Sequence, residues 1–538
     1  MEYAQKRKLA GAAIIVMSAA VLSRIIGFVR TTLIMNVHYL NTSDKDALFM
    51  SFTITDLMNM LLVGGAIASV LIPVLSGYMA RNEEEDGWKA VSTFINLTTI
   101  MITVLSILGV IFAPQLIHAI APGFDKETAA LTVKISRIMF PSVAFMMLVG
   151  LINGILNSYH RFAVSSYGPL LYNVCCVMSV LFLSKYGVTR IALGIMFSAI
   201  LYFLFQLTFV LKNLKYYRLG IYLKHPGFRK LLVLAVPSLI ASSIAQINIL
   251  ISQSYNSNFK TGSVTALKNA NDIWQLPYGI FALGMGIAIL PSLSEMLATK
   301  NLEAFKNTVL KSLKTVLMVI IPSSVAIAVL GIPVTSAIYK WSATMDADKV
   351  ILTSRILTFF TIALISQSVV AIVNRAFYAN NNTKTPLYVG LVSVALNTVF
   401  CFVLYKTTNL GASGMALGYS LSSVLYAIVL LGILDKRMQG MHLDKLTIYL
   451  IKVVMASLAM GAVLMLVNKY VPVDFTRKFT MHSKVIELVY LVGEAVIGTA
   501  IYVGISILLK VDEVVYMLNM VSRRMKSLMG KGSKVELK

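Results

Sequence analysis

The chain has 538 residues, of which 57% are hydrophobic and 13% are charged. Its mean hydropathy of +0.79 is far above that of soluble globular proteins of this size. This composition excludes a soluble globular domain and predicts an all-α polytopic membrane protein. The formal net charge of +24 does not indicate a nucleic-acid partner, because the basic residues lie between apolar runs and form no stripe with interleaved aromatic side chains.

Apolar runs long enough to cross a bilayer recur along most of the chain. A spanning helix needs about 20 apolar residues, since each residue rises about 1.5 Å and the hydrocarbon core is about 30 Å thick. The runs predict about fourteen transmembrane helices, at 9–36, 47–79, 90–117, 130–158, 165–186, 190–212, 230–256, 265–297, 305–332, 351–379, 385–406, 412–434, 445–468 and 485–510. The basic start Lys6-Arg7-Lys8 leads into a run without a convincing cleavage site, so we expect the first helix to remain in the mature protein.

The basic residues predict the orientation of these helices. Lys and Arg are concentrated between the sixth and seventh runs and in the C-terminal tail, and the positive-inside bias places both segments in the cytoplasm. The loops around Asp44 and Asp125 are mixed in sign and fall on the opposite side. An even number of helices with both termini in the cytoplasm is consistent with this pattern.

The chain also repeats itself. Pro73-Val74-Leu75-Ser76 is echoed by Pro291-Ser292-Leu293-Ser294, 218 positions later (291 − 73), and Asn153 is matched by Asn374 at a similar offset. Six helices separate the matching elements, so the two halves have the same topology and form a parallel repeat around an axis along the membrane normal. We therefore predict an N-lobe at 1–212, a basic cytoplasmic linker at 213–230, a C-lobe at 231–440, two further helices at 441–510 and a basic cytoplasmic tail at 511–538.

Two arginines in the first helix are candidates for contact with an anionic substrate. Arg24 and Arg30 are six residues apart, which puts them about 120° apart around the helix and roughly 9 Å apart along it. They can line one broad cavity wall but cannot grip a single phosphate as a pair. The guanidinium group suits phosphate because its planar fork donates bidentate hydrogen bonds and keeps its charge. The alternative for both side chains is snorkelling towards the membrane interface.

Asp56 and Asp272 form an acidic pair that nearly matches the repeat, because they are 216 positions apart (272 − 56). A charge inside a spanning helix costs at least about 2.5–3.5 kcal/mol on insertion scales, so each is a candidate functional residue. Either could bind a coupling cation, or either could form a structural ion pair with Arg24 or Arg30.

Motifs of enzymes are absent from the sequence. It contains no Walker-type phosphate loop, no HExxH and no plausible Ser/His/Asp set. The three cysteines and six histidines lack metal-ligand spacing. We therefore predict a protein that is not an enzyme, with no cofactor and no metal site, and expect an ion gradient, the membrane potential or the substrate gradient to supply the energy.

Three stretches of sequence resemble the MurJ family of lipid II flippases, within the MOP exporter superfamily. They are Ser23-Arg24-x-x-Gly27-Phe28-x-Arg30, Gly65-Ala66 with Pro73-Val74-Leu75, and Gln275-Leu276-Pro277-x-Gly279 with Leu290-Pro291-Ser292-Leu293-Ser294. The resemblance implies fourteen helices in two lobes around a cationic cavity, with the last two helices forming a groove for the lipid tail. It also implies that lipid II, the undecaprenyl-pyrophosphate-linked peptidoglycan precursor, is flipped across the bacterial inner membrane by alternating access. By the same resemblance, Arg24 and Arg30 contact the pyrophosphate region.

Several positions depart from the family pattern. Asn59 and Asp272 stand where the family has arginines, and Gly64 stands where it has an acidic residue. Some members bind sodium through Asn-x-x-x-Asp on helix eleven, whereas this chain has Asn397 followed by Cys401. The coupling ion therefore stays open, with Asp56, Asp272 and Asn397 as candidate cavity or coupling residues.

Two other functions stay open at this point. One is a flippase for another undecaprenyl-linked glycan, which the altered arginine set allows. The other is a non-transporting membrane scaffold for cell-wall enzymes. The expected partners are lipid II, membrane lipids and proteins of cell-wall synthesis.

Overall fold

The computed structural model describes residues 18–19, 22–62, 66–159, 161–380, 382–441, 443–471, 473–475 and 477–515. Over these ranges the secondary structure is helical, with no β-strand. Eleven of the helices in these ranges are long and apolar enough to cross a membrane. The prediction of an all-α polytopic membrane protein is confirmed, whereas the count of fourteen helices stays a prediction. The basic start, Gly64 and most of the basic tail lie outside the described residues.

We number the helices in chain order. The first nine are α1 (22–36), α2 (Thr42–Leu62), α3 (Ala66–Ala80), α4 (Glu84–Ile111), α5 (Ala113–Ile120), α6 (Lys126–Ser158), α7 (Phe162–Leu183), α8 (Val188–Val210) and α9 (Pro226–Asn256). The others are α10 (Ser263–Pro277), α11 (Gly284–Ala298), α12 (Leu302–Val329), α13 (Gly331–Tyr339), α14 (Ala347–Ala379), α15 (Lys384–Thr407), α16 (Ala412–Arg437), α17 (Leu443–Tyr470) and α18 (Met481–Leu508).

The chain divides into two compact units. The first contains Met1–Asn269, Tyr339–Met345 and Asn397–Met415, and the second contains Ala270–Ile338, Asp346–Leu396 and Ala416–Lys538. In the first unit α6 packs against α2, α3, α4 and α8, and in the second α12 packs against α14 and α17. The boundaries predicted for the two lobes, the linker and the tail stay predictions.

Polar side chains close the N-termini of several helices where the chain turns back. The caps are Asp125 to Thr128 N (2.8 Å), Asn301 to Ala304 N (3.1 Å), Asp346 to Lys349 N (3.0 Å) and Thr480 to Ser483 N (3.1 Å). Each accepts a hydrogen bond from a main-chain N–H that lacks a partner within its helix. These caps fix the ends of α6, α12, α14 and α18.

One predicted span is interrupted by a change of helix type. The sequence predicts a single helix at 265–297, but α10 ends at Pro277 and a π-helical turn, Tyr278–Leu283, connects it to α11. Proline lacks a main-chain N–H and its ring clashes with the preceding turn, which favours a local change in the hydrogen-bonding pattern. Pro277 therefore lies at an irregular point in the helix.

The helix α18 is apolar on its outer side and polar on its inner side. Val489, Val492 and Val496 are exposed, whereas Glu487 and Glu494 are each 1% exposed. Exposed apolar side chains and buried polar ones fit a helix in contact with lipid, because hydrocarbon cannot satisfy a charged group. In the second unit α18 packs against α17.

A buried ion pair joins α18 to α13. Lys484 and Glu487 are each 1% exposed, and Lys484 Nζ lies 3.6 Å from Glu487 Oε2. Ser336 on α13 contacts both, since its carbonyl accepts from Lys484 Nζ at 2.5 Å and its hydroxyl donates to Glu487 Oε2 at 2.6 Å. Each charge therefore has both an opposite charge and a hydrogen-bond partner, the condition under which a buried pair is tolerated.

Each unit contains a polar contact between two of its own helices, and the two contacts lie at equivalent positions in the repeat. In the first unit Gln206 Nε2 on α8 donates to Asn153 Oδ1 on α6 at 2.7 Å. In the second unit the Tyr426 side chain on α16 lies close to Asn374 on α14, and its hydroxyl donates to Pro386 O at 3.2 Å. The pairs are offset by 221 positions (374 − 153) and 220 positions (426 − 206). This agreement fits the duplication seen in the sequence.

Candidate substrate-contact site

The two arginines of α1 have different surroundings. Arg24 is exposed and Arg30 is half-buried. The guanidinium carbon of Arg30 lies 5.2 Å from the ring centroid of Phe52 on α2, which is the geometry of a cation–π contact. Because α1 is continuous from residue 22 to residue 36, both arginines keep the separation that the sequence predicts. They belong to one helix wall but not to one phosphate-binding clamp.

Arg30 and Asp56 come together around a tyrosine. Asp56 is exposed on α2, and both residues act electrostatically on the hydroxyl of Tyr172 on α7. The ring of Tyr172 also lies 6.3 Å from that of Tyr202 on α8. This part of the first unit therefore combines a cation, an anion and a hydroxyl, a set that can bind a polar headgroup.

An asparagine connects α7 to the first turns of α1. Asn173 Nδ2 donates to Ser23 O at 3.3 Å and to Ser23 Oγ at 3.1 Å, and it also contacts Pro169 O at 3.1 Å. Ser23 precedes Arg24 directly. Hydrogen bonds between helices hold their rotation, so Asn173 sets the direction in which the Arg24 side chain leaves α1. The sequence analysis did not identify Asn173 or Tyr172 as candidates. Their polar side chains inside an apolar run could have marked them.

The other end of α1 is held within the same unit. Asn36 Nδ2 donates to Tyr339 O at 2.8 Å, and Asn36 Oδ1 accepts from Trp341 N at 2.9 Å. The ring of Phe28 stacks on that of Tyr339, with centroids 6.4 Å apart. Both ends of α1 therefore have fixed contacts, which limits how far the arginines can move without a rearrangement.

A carboxylate of the first unit caps the helix that follows α9. Asp46 is 2% exposed. Its Oδ2 accepts from Gly262 N at 2.5 Å, and its Oδ1 accepts from Thr265 N at 2.9 Å and Thr265 Oγ1 at 2.5 Å. Main-chain N–H groups at a helix N-terminus favour negative charge. Asp46 thus joins the start of α2 to the start of α10.

Asp272 and Asn397 are the two remaining candidate residues. Asp272 is half-buried on α10 in the second unit, whereas Asp56 belongs to the first unit. Asn397 on α15 is fully buried, and its Nδ2 donates to Asn248 O on α9 at 3.1 Å. Its Oδ1 accepts from the Cys401 thiol at 3.4 Å.

The donor set around Asn397 does not fit the sodium site known in some members of the resembled family. Hard cations prefer oxygen ligands that include a carboxylate. Here the position of the acidic residue is taken by Cys401, whose thiol donates to the amide oxygen of Asn397. Across the described ranges no group of three or more His, Cys, Asp or Glu could hold a metal ion. Asn397 connects α15 to α9, and its role in ion coupling stays a prediction.

Comparisons with known proteins agree on one family. The family described as "Lipid II flippase MurJ" matches residues 39–486. A probable lipid II flippase MurJ of Rickettsia prowazekii (strain Madrid E) is 28% identical over 495 residues, which cover 91% of this chain and 96% of that protein. The lipid II flippase MurJ of Burkholderia cenocepacia is 26% identical over 427 residues, which cover 77% of this chain and 82% of that protein.

Solved structures support the fold. A structure of lipid II flippase MurJ in an inward closed conformation has a TM-score of 0.75 and 24% identity, and the match covers 92% of this chain and 99% of that one. An inward-facing multidrug resistance MATE family transporter of the MOP superfamily has a TM-score of 0.67 and 16% identity, with coverage of 80% and 98%. At these identities the likeness concerns the fold alone.

The contact between Asn173 and Ser23 predicts a loss of transport when the amide is removed. Interhelical hydrogen bonds in membrane proteins contribute about 0.6 kcal/mol each. Asn173→Leu removes the two bonds to Ser23 and should therefore destabilise the active position of α1 by about 1 kcal/mol, which corresponds to roughly a fivefold loss of lipid II translocation. The rate in reconstituted vesicles measures it. In a double-mutant cycle, Ser23→Ala should lower translocation less in the Asn173→Leu background than in wild type, because the contact has already been lost there. Full additivity of the two changes would contradict the contact.

The Asn397 environment predicts an engineered response to sodium. Cys401→Asp places a carboxylate beside Asn397, and without a cation the buried charge should lower the thermal unfolding temperature of the purified protein. Sodium should restore it, by about 2.7 kcal/mol at 100 times the dissociation constant. Wild type and Cys401→Asn should not respond to sodium. A wild-type response as large as that of Cys401→Asp would contradict the assignment.

Proposed function

Because the chain belongs to the MurJ family of lipid II flippases, we propose that it moves lipid II from the cytoplasmic to the outer leaflet of the bacterial inner membrane by alternating access. The match over residues 39–486 carries this proposal. The eleven candidate spans among the described residues fit a multi-pass membrane transporter. The family function is transport and not an enzymatic reaction.

The arginines of α1 are the proposed contacts of the pyrophosphate. A spanning helix that carries two guanidinium groups needs an anionic or aqueous partner to offset the cost of burying them. The exposure of Arg24 on α1 and the contact of Arg30 with the ring of Phe52, close enough to Tyr172 to act on it electrostatically, support this assignment. Since the two side chains diverge around the helix, we assign them to successive parts of a large headgroup and not to one phosphate.

The proposed topology follows from charge. Both termini are cytoplasmic, and the N-lobe at 1–212 and C-lobe at 231–440 rock against each other around the substrate. In this proposal α17 and α18 form the groove for the lipid tail, a role that the exposed valines of α18 suit. Lipid II and membrane lipids are the partners, and proteins of cell-wall synthesis are further proposed ones.

Acidic residues are the proposed binding sites of the ion whose gradient drives transport. With no carboxylate beside Asn397, the candidates for an ion-coupling group are Asp56 and Asp272. Asp56 has the stronger support, because it shares the surroundings of Tyr172 with Arg30. A proton or cation at Asp56 would change the charge balance next to the proposed pyrophosphate contact.

Substitution of the arginines tests the substrate contact. Arg24→Ala and Arg30→Ala should each remove charge-assisted hydrogen bonds of about 1.5–3 kcal/mol, a loss of about ten- to hundredfold in lipid II translocation. Translocation in reconstituted vesicles is the measurement, together with complementation of a strain depleted of its own flippase. Arg190→Ala, at an exposed position near the start of α8, is the matched control. A non-transporting scaffold would tolerate all three changes, and a flippase for another glycan would fail on lipid II with every arginine intact.

Substitution of the acidic residues tests the coupling. If Asp56 binds the coupling ion, Asp56→Asn should abolish the dependence of translocation on a proton or sodium gradient while the expression level stays normal. Asp272→Asn gives the same comparison in the second unit, and Asp348→Asn, exposed in the first turn of α14, is the control. Unchanged ion dependence in both variants would refute the assignment of either residue as the coupling group.

A further inference from the structure

The segment between α8 and α9, residues 211–225, is bound along the first turns of α4, and we call it the α8–α9 linker. Residues 217–222 of this linker have no regular secondary structure. Hydrogen bonds instead join its main chain to side chains of α4. They are Arg218 N to Ser92 Oγ (3.1 Å), Tyr222 N to Thr93 Oγ1 (3.0 Å), and Asn96 Nδ2 to Arg218 O (3.0 Å) and Gly220 O (3.2 Å). The linker therefore has a fixed position on α4.

Three apolar side chains of the α8–α9 linker are exposed. Leu219 is 84% exposed, Ile221 47% and Leu223 56%. They occupy every second position, as one face of an extended chain does. Apolar surface left in water costs roughly 25 cal/mol per Å². This row of side chains therefore fits an apolar environment such as the acyl chains of a bilayer.

The α8–α9 linker runs along the axis of α4, a candidate span that begins at Glu84. Asn96 binds the carbonyl groups on both sides of Leu219. At the end of the linker, His225 Nε2 lies 3.0 Å from Asp86 Oδ2. Asn96 and Asp86 are ten residues apart (96 − 86), which is about 15 Å along the helix. The main chain at Leu219 therefore lies deeper in the span than His225.

Basic side chains lie at the shallower end of the linker. Lys215, Lys224 and Arg229 are exposed, and the last two flank the start of α9. Lys215 Nζ lies 4.6 Å from the ring centroid of Tyr216, and that ring stacks on Trp88 in the second turn of α4. These cations are therefore placed near the end of the span.

The acidic residues at the start of α4 do not neutralise these cations, because they have other partners. The partners are Arg81 for Glu83 (2.9 Å), the Tyr159 hydroxyl for Glu84, Arg218 for Glu85 (2.8 Å) and Lys89 for Asp86 (3.1 Å). Among the described residues, no carboxylate forms an ion pair with Lys215, Lys224 or Arg229. Their charge is therefore available to an external anion.

Apolar side chains at the deeper end and available cations at the shallower end match the order of acyl chains and phosphates in one leaflet. A nucleic acid or an acidic protein would match the cations but leave the apolar row in water. We propose that the α8–α9 linker is a docking surface for anionic phospholipids of the leaflet at this end of α4. The apolar row lies among the acyl chains, and Lys215, Lys224 and Arg229 bind the phosphates. This interaction does not require lipid II and is separate from the proposed transport.

Binding of phosphatidylglycerol to the full chain in detergent micelles, measured by native mass spectrometry, tests the cations. The combined variant Lys215→Gln, Lys224→Gln and Arg229→Gln should bind phosphatidylglycerol about fivefold more weakly for each basic residue removed, which is equivalent to about 1 kcal/mol. Its affinity for zwitterionic phosphatidylcholine should stay at the wild-type value. Equal affinity of this variant and wild type for phosphatidylglycerol would overturn the proposal.

A matched control removes three exposed cations from the other ends of α6 and α8. It combines Lys126→Gln, Lys185→Gln and Arg190→Gln and should keep the wild-type affinity for phosphatidylglycerol. Lys185 matches Lys215, because its Nζ lies 4.9 Å from the ring centroid of the neighbouring Tyr186. A loss in the control as large as that in the linker variant would show a general effect of charge and contradict the assignment to the linker.

The fluorescence of Leu219→Trp tests the depth of the apolar row in nanodiscs of phosphatidylglycerol. Bromine atoms on the acyl chains should quench this residue beyond the signal of the three native tryptophans, and aqueous iodide should not. Quenching by iodide and not by bromine would place the row in water and overturn the proposal. Soluble glycerol phosphate separates a lipid from a free phosphate. If it displaced phosphatidylglycerol from the wild type at equal concentration, the assignment to a phospholipid would be wrong.

Discussion

Hydrocarbon offers no hydrogen-bond partner, and this constraint determines where the chain can place its polar side chains. Most buried hydroxyls satisfy it within their own helix. Ser368 and Ser457, for example, donate to the carbonyls four residues earlier at 2.6 and 2.7 Å. A hydroxyl used in this way contributes little to specificity, because any neighbouring helix could pack against it. The polar groups that reach another helix are therefore the informative ones.

Three of those interhelical contacts hold helices that carry candidate functional or buried charged residues. Asn173 holds α1 beside Arg24, and Asn397 holds α15 against α9. Ser336 ties α13 to the buried charges of α18. Each uses a neutral group to orient a helix, so none adds a charge that the membrane would oppose. The charged side chains of the proposed substrate contact lie instead at half-buried or exposed positions, Arg30 and Asp56.

The sequence predicted the spans well because their length and hydrophobicity are local properties. The run at 351–379 corresponds to Ala347–Ala379, and that at 412–434 to Ala412–Arg437. It could not predict the π-helical turn after Pro277, since a proline permits several local adjustments. It also missed Tyr172 and Asn173, whose importance depends on α1 packing against α7. Such contacts join residues about 150 positions apart, and no local pattern encodes them.

If Arg24 and Arg30 contact the pyrophosphate as proposed, the altered charges concentrate the recognition of the substrate on α1. Asn59 and Asp272 replace arginines of the resembled family, and Asp272 adds a negative charge that would repel pyrophosphate. Because fewer cations are available to bind the substrate, the orientation of the Arg24 and Arg30 side chains matters more. A guanidinium donates along fixed directions, so its hydrogen bonds depend on the rotation of the helix that carries it. Under that proposal the contact between Asn173 and Ser23 contributes to recognition, although neither side chain carries a charge.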